Sequence, residues 1–157
     1  GLLDPIRKKV TVASQFPLRS QRFTLAHELG HAALHNLGTV VHRDRPLDSS
    51  QSLADPIEVE ANQFASCFLM PEKLVRERFK GAFLDDQFVV SEESTFALAG
   101  LDIHDFRKRF PTRRHLSTRL AGAERFNGMH LPSLADQFQV SVLAMAIRLE
   151  ELDLVVL

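Results

Sequence analysis

Arg22-Phe23-Thr24-Leu25-Ala26-His27-Glu28-Leu29-Gly30-His31-Ala32-Ala33-Leu34-His35 is the stretch on which the reading of this chain turns. If it is helical, residues four apart share a face with Cβ atoms about 5–6 Å apart, so His27 and His31 can aim imidazole nitrogens at one ion. Glu28 then stands beside that ion. Zinc takes histidine and carboxylate ligands in a tetrahedron, and a catalytic site keeps the fourth position for water. Glu28 is therefore the expected general base of a metal-assisted hydrolysis. Ser20 is the expected cap and 36–38 the exit, which makes a helix of about 17 residues. Phe23, Ala26, Ala33, Leu34 and Leu37 fall on the side of Gly30, the expected core contact, with His27 and His31 along its edge. Two histidines there are costly to bury without a partner.

A third ligand has to come from another segment. In Asp55-Pro56-Ile57-Glu58-Val59-Glu60-Ala61-Asn62-Gln63-Phe64-Ala65-Ser66-Cys67-Phe68-Leu69-Met70-Pro71, Asp55 reads as an N-cap, Pro56 as the first helical residue and Pro71 as the stop. At 100° per residue, Ala61, Phe64, Ala65, Phe68 and Leu69 form the buried arc, with Glu58 and Asn62 inside or beside it. Glu60 falls on the far side with Gln63 and Cys67. Small Ala61 and Ala65 let this helix approach Gly30, which brings Glu58 within reach of the ion; the alternative for Glu58 is the N3 place of a capping box. Asn62, one turn on, is placed to accept the free N–H of a ligating histidine and fix its tautomer.

Together with Leu69-Met70-Pro71, the later Leu134-Ala135-Asp136-Gln137-Phe138-x-Val140-Ser141 and Arg148-Leu149, these two blocks give the chain a pattern that resembles the ImmA/IrrE family of zinc metallopeptidases over residues 10–152. The resemblance implies a thermolysin-like, zincin-type minimal core, with His27, His31 and Glu58 as ligands and Glu28 as catalytic base. One zinc ion per chain is expected, another divalent ion such as Mn²⁺ being the alternative. It also implies a substrate class, since relatives cleave helix-turn-helix transcriptional repressors. Relatives carry a further helix and strands ahead of the position of Val10, so a sheet incomplete at the N-terminus is expected. The stretch 70–131 is longer than the family pattern.

Outward from the motif, Val10-Thr11-Val12 alternates as a short strand, and a Pro17 loop leads on into the first helix. Val10 and Val12 are candidate substrate-binding residues, because a strand beside such a site can pair with an extended peptide. Residues 39–54 read as a surface loop, and 72–80 as a helix. His35 lies about 12 Å along the helix axis from His27, too far to share the ion, and reads as a helix-end histidine. His42, His104, His115 and His130 read as surface residues. With no Tyr and no Trp, an oxyanion donor must be a His, an Arg or a backbone N–H.

Charge divides the middle of the chain. Residues 85–105 hold six acidic side chains and no Lys or Arg, whereas 107–125 hold seven basic ones against Glu124 alone. Solvated faces are the ordinary outcome. The sharper expectation is a docking rim for an acidic substrate segment, with Arg113 and Arg114 as substrate-binding candidates. Six phenylalanines spread through 83–126 point to a folded region.

The segment 134–152 has the outline of a helix-turn-helix with Ser141 capping its second helix. That helix opens Val142-Leu143-Ala144-Met145-Ala146, none of which can bond a base edge, so core packing is expected, with 152–157 as a final strand. The chain has 157 residues, 45% of them hydrophobic, and a net charge of −1. One domain over 1–157 is expected: strand and metal-site helices to 71, a variable segment over 72–130, then a C-terminal helix pair and strand. The fold class is α+β, a helical core with a small antiparallel or mixed sheet. No global field draws nucleic acid or an anionic membrane, and a single Cys with no long apolar run fits a cytoplasmic protein. The oligomeric state is not legible. The enzymatic reading is an endopeptidase acting on a repressor, and its rival is a metal-stabilised module that binds a repressor without cutting it.

Overall fold

The computed structural model describes residues 1–4, 6–35, 42–43 and 55–157, which divide into two units, Gly1–Leu69 and Met70–Leu157. The first unit starts with β1 (Leu2–Asp4) and β2 (Lys9–Thr11), paired antiparallel with Leu3 opposite Val10. Asp4 makes the turn between them: its Oδ1 accepts from the backbone N–H groups of Ile6 and Arg7 at 3.1 and 3.0 Å. A third strand, β3 (His42–Arg43), pairs antiparallel with β1, so the order is β2-β1-β3 and β2 lies at an edge. The expected exit at 36–38, with Leu37, and the expected loop over 39–54 fall outside the described residues except at β3.

Helix α1 (Leu18–Leu34) has the expected 17 residues but begins earlier than expected. Pro17, not Ser20, precedes its first turn, because the Pro17 carbonyl already accepts from Ser20 and Gln21 at 2.9 and 3.0 Å. The expected core face also needs correcting. Leu34 is 52% exposed and Ala33 is exposed, while Ala26, His27, Glu28, Gly30 and His31 are buried. The buried strip of α1 consists of small residues and ionisable ones, so apolar periodicity does not point to it. Helix α2 (Pro56–Leu69) packs along that strip. Asp55 starts it, its Oδ1 accepting from Ile57 at 3.0 Å and its carbonyl from Val59 at 3.1 Å. Ala61, Ala65 and Ser66 are buried; Phe68, expected inside, is exposed and stacks on Phe64 with ring centroids 5.9 Å apart.

In the second unit α3 (Glu72–Phe83) buries Val75, Phe79 and Phe83, one per turn. It is followed by β4 (Phe88–Val89) and three capped helices: α4 (Glu92–Ala99) after Ser91, α5 (Ile103–Arg109) after Asp102 and α6 (Arg113–Ala121) after Thr112. In α5 the backbone N–H of Asp105, and then that of His104, hold the Asp102 carboxyl below its ordinary value. Asn127 and Gly128, both at positive φ, turn the hairpin of β5 (Arg125–Phe126) and β6 (Met129–His130). The chain continues as α7 (Leu134–Phe138) and α8 (Val142–Glu151), whose cap Ser141 accepts from Ala144 at 3.1 Å. It ends in β7 (Val155–Val156), parallel to β4. Met145, Ala146 and Leu149 of α8 are buried with Leu116 and Leu120 of α6, whereas Leu143 is exposed. The fold is α+β, with helical cores and small sheets. Among the described residues no helix is long and apolar enough to cross a membrane.

Candidate metal centre

The close approach of α1 and α2 builds this site. A Cβ placed on Gly30 would lie 3.1 Å from both the Cα and the carbonyl oxygen of Ala61 and 3.2 Å from Cβ of Phe64, so any larger residue would require the helices to give by a few tenths of an ångström. One turn from Ala61, Glu58 reaches back across the gap. Its Oε2 lies 3.2 Å from Nε2 of His27 and its Oε1 lies 3.4 Å from Nε2 of His31. The two histidine Nε2 atoms are 2.9 Å apart.

These distances permit a test of fit. Bond lengths of 2.0–2.1 Å to a tetrahedral zinc ion set neighbouring ligand atoms about 3.3 Å apart, and the nearest contacts between the three side chains, at 2.9, 3.2 and 3.4 Å, are of that size, with one Glu58 oxygen facing each histidine. The chemistry of the donors agrees, since two imidazoles and one carboxylate suit zinc. Among the described residues, His27, His31 and Glu58 are the one group of three such side chains with ligand atoms this close together.

Hydrogen bonding prepares one of the imidazoles. An amide oxygen only accepts, so Nδ1–H of His27 donates to Oδ1 of Asn62 at 3.0 Å, and Nε2 is left with its lone pair toward the cluster. Asn62 stands one turn beyond Glu58 on α2, so the same helix supplies a carboxylate and an orienting group. Glu28, next to His27 on α1, is fully buried, with the backbone nitrogen of Gly1 3.7 Å from its Oε1.

Glu60 faces elsewhere: its side chain is 61% exposed, and its Oε2 lies 3.7 Å from Nδ1 of His35. His35 shows a contact that spacing does not disclose, because its Nε2–H donates to the carbonyl of Ile57 at 3.2 Å. Only its place one turn past His31 hints at a side chain near α2. Val10 lies in β2 and Val12 just beyond it, and among the described residues β2 pairs with β1 alone.

Arg113 and Arg114 belong to the other unit and have partners there. Arg113 donates to the carbonyls of Val155 and Glu150, both at 3.0 Å, and to Asp153 at 2.8 Å. Arg114 grips Glu150 with two bonds of 2.8 Å. Both tie the start of α6 to the end of α8. The acidic stretch is likewise engaged locally, with Asp86 on Lys80, Asp105 on Lys108 and Asp102 on the first turn of α5.

The family model described as the IrrE N-terminal-like domain, of a peptidase family, matches residues 2–97, more than half of the chain. The radiation response metalloprotease IrrE of Deinococcus radiodurans is 34% identical over 77 residues, covering 49% of this chain and 24% of that protein. Uncharacterized immunity region protein 2 of Bacillus phage phi105 is 33% identical over 99 residues, covering 62% of this chain and 60% of the relative. The alignments thus span less than two thirds of either relative. No solved structure matches.

Proposed function

Because the chain belongs to the ImmA/IrrE family of metallopeptidases, we propose that it is a zinc endopeptidase whose substrate is a protein, in the first instance a helix-turn-helix transcriptional repressor. His27, His31 and Glu58 hold the ion. The observation that carries this reading is the convergence of three ligand side chains from two helices, with the His27 and His31 Nε2 atoms 2.9 Å apart and one Glu58 oxygen facing each of them at 3.2 and 3.4 Å. The repressor is supported more indirectly, through the family and through a relative named for a phage immunity region.

When bound, such an ion supplies Lewis acidity, which polarises a peptide carbonyl and acidifies a water molecule. Glu28 takes a proton from the attacking water as its oxygen bonds to the carbonyl carbon. Glu28 then delivers that proton to the amide nitrogen, so that the C–N bond breaks and the amine leaves neutral. Burial suits Glu28 to this work, because removal from bulk water strengthens its interactions with the reacting groups. Asn62 keeps His27 in the tautomer that presents Nε2. Among the described residues the outer edge of β2 is unpaired, and there Val10, with Val12 just beyond the strand, offers backbone groups to an extended peptide.

The test is cleavage of a repressor encoded beside this protein by wild type and by Glu28→Gln. The variant should keep its metal and its melting temperature while cleavage falls by at least about 10², the scale of lost general-base catalysis. Equal cleavage by the two proteins excludes the mechanism. Binding of the repressor by both, with cutting by neither, establishes the capture module instead.

A further inference from the structure

We infer that His35 is a positioning residue that sets the first turn of α2, and with it the carboxylate of Glu58; this rests on the ligand set proposed above. A carbonyl oxygen can only accept, so the 3.2 Å contact fixes the hydrogen of His35 on Nε2, aimed at Ile57, the residue directly before Glu58. The contact joins segments 22 residues apart and crosses from the end of one ligand-bearing helix to the start of the other.

The backbone explains how the ring gets there. His35 is the C-cap of α1: its N–H still bonds the His31 carbonyl at 3.1 Å, while its own φ of −119° and ψ of 139° are extended. Leaving the helix at this residue lets the ring reach α2. The ring stays against His31, with centroids 5.4 Å apart, and the side chain is only 9% exposed. One side chain therefore touches both the ring of a ligand and the backbone that carries another.

Such an anchor has a physical purpose. Glu58 lies in the first turn of its helix, where backbone hydrogen bonding is least complete and fraying starts. A ligand there is only as well placed as its turn. The anchor acts through the Ile57 carbonyl, so the exposed Glu60 carboxylate beside His35 is not needed for it.

The experiment is metal affinity of the full chain, measured by competition with a chromophoric chelator for zinc, with far-UV circular dichroism of each apo protein. His35→Ala and His35→Met, which lack the donor, should weaken zinc binding by about 10–100-fold, the usual effect of losing an outer-sphere partner. His35→Gln, whose amide N–H can reach the same carbonyl, should bind close to wild type, and Glu60→Ala should not change affinity. Where His35→Ala fails to fold, the Met and Gln variants decide the matter. Wild-type affinity in His35→Met, or equal losses in the Met and Gln variants, overturns the positioning role. Glu58→Ala separates the two levels: its loss of zinc with an unaltered His35 series refutes the anchor alone, whereas full zinc binding by Glu58→Ala refutes the ligand set beneath it.

Discussion

The same substitution should act differently at two helical glycines, because the space around the added Cβ differs. Glycine to alanine inside a helix gains about 0.8–1.0 kcal/mol of helix propensity. At Gly81 in α3 nothing lies within 4 Å of the added Cβ, so Gly81→Ala should stabilise by about 0.5–1 kcal/mol. At Gly30 the added atom meets Ala61 Cα and carbonyl oxygen at 3.1 Å, and backbone cannot swing aside as a side chain can. Overpacking of this kind costs about 1–3 kcal/mol, so Gly30→Ala should lose roughly 0–2 kcal/mol net. For a chain of this size 1 kcal/mol moves the melting temperature by about 2–4 °C, and thermal denaturation of the apo proteins followed by circular dichroism reads the difference. The metal site should suffer more than the fold. Relief of the overlap moves α1 from α2 by a few tenths of an ångström, and that displacement separates Glu58 from His27 and His31. Zinc affinity should therefore fall in Gly30→Ala and stay unchanged in Gly81→Ala. If Gly30→Ala is stabilised as much as Gly81→Ala and binds zinc as well, the close helix approach is not what builds the site.

Arg114→Glu should destabilise the chain, since it replaces the fork on Glu150 with two facing carboxylates; the lost pair is partly exposed and contributes about 0.2–1 kcal/mol, read as a lower urea midpoint. Arg113→Ala removes three hydrogen bonds at the end of α8 and should cost about 1–3 kcal/mol by the same measurement, with cleavage of a short peptide unchanged. Asp102 gives a pH dependence. Its carboxyl is held below its ordinary value of 3.8 by the Asp105 N–H, so its stabilisation is complete above that value and is lost as pH falls through the lower, folded-state value. Asp102→Asn caps without titrating, so melting curves should show wild type losing ground to the variant only below about pH 4.

Much of the candidate site is legible in the sequence because helical spacing is a rigid ruler. His27 and His31 lie one turn apart, and Glu58 and Asn62 repeat that interval on α2, so two local periodicities place four side chains. The small residues Gly30, Ala61 and Ala65 signal close approach for the same reason. Where the reading of α1 goes astray, at Ala33 and Leu34, it does so because burial there follows the polar cluster and not apolar residues. Phe68 falls on the buried arc by angle yet stacks on Phe64 at the surface, since angle does not report where a neighbouring element stops. Short strands are poorly legible: β1 and β4 have three and two residues, and β4 is defined by its pairing with β7, distant in sequence. The Asn127-Gly128 turn is a readable hairpin signal, but two-residue strands on either side hide it. Arg113 and Arg114 show the limit of charge runs, because a run records which residues are charged and not which carbonyls and carboxylates face them.

The central claim is that a divalent ion is held by His27, His31 and Glu58, and metal content of the purified chain tests it most directly. After equilibrium dialysis against zinc, elemental analysis should find about one ion per chain in wild type and in Glu60→Ala, and little in Glu58→Ala or His31→Ala. An undiminished zinc content in Glu58→Ala, or loss of zinc in Glu60→Ala with Glu58→Ala retaining it, would contradict the account.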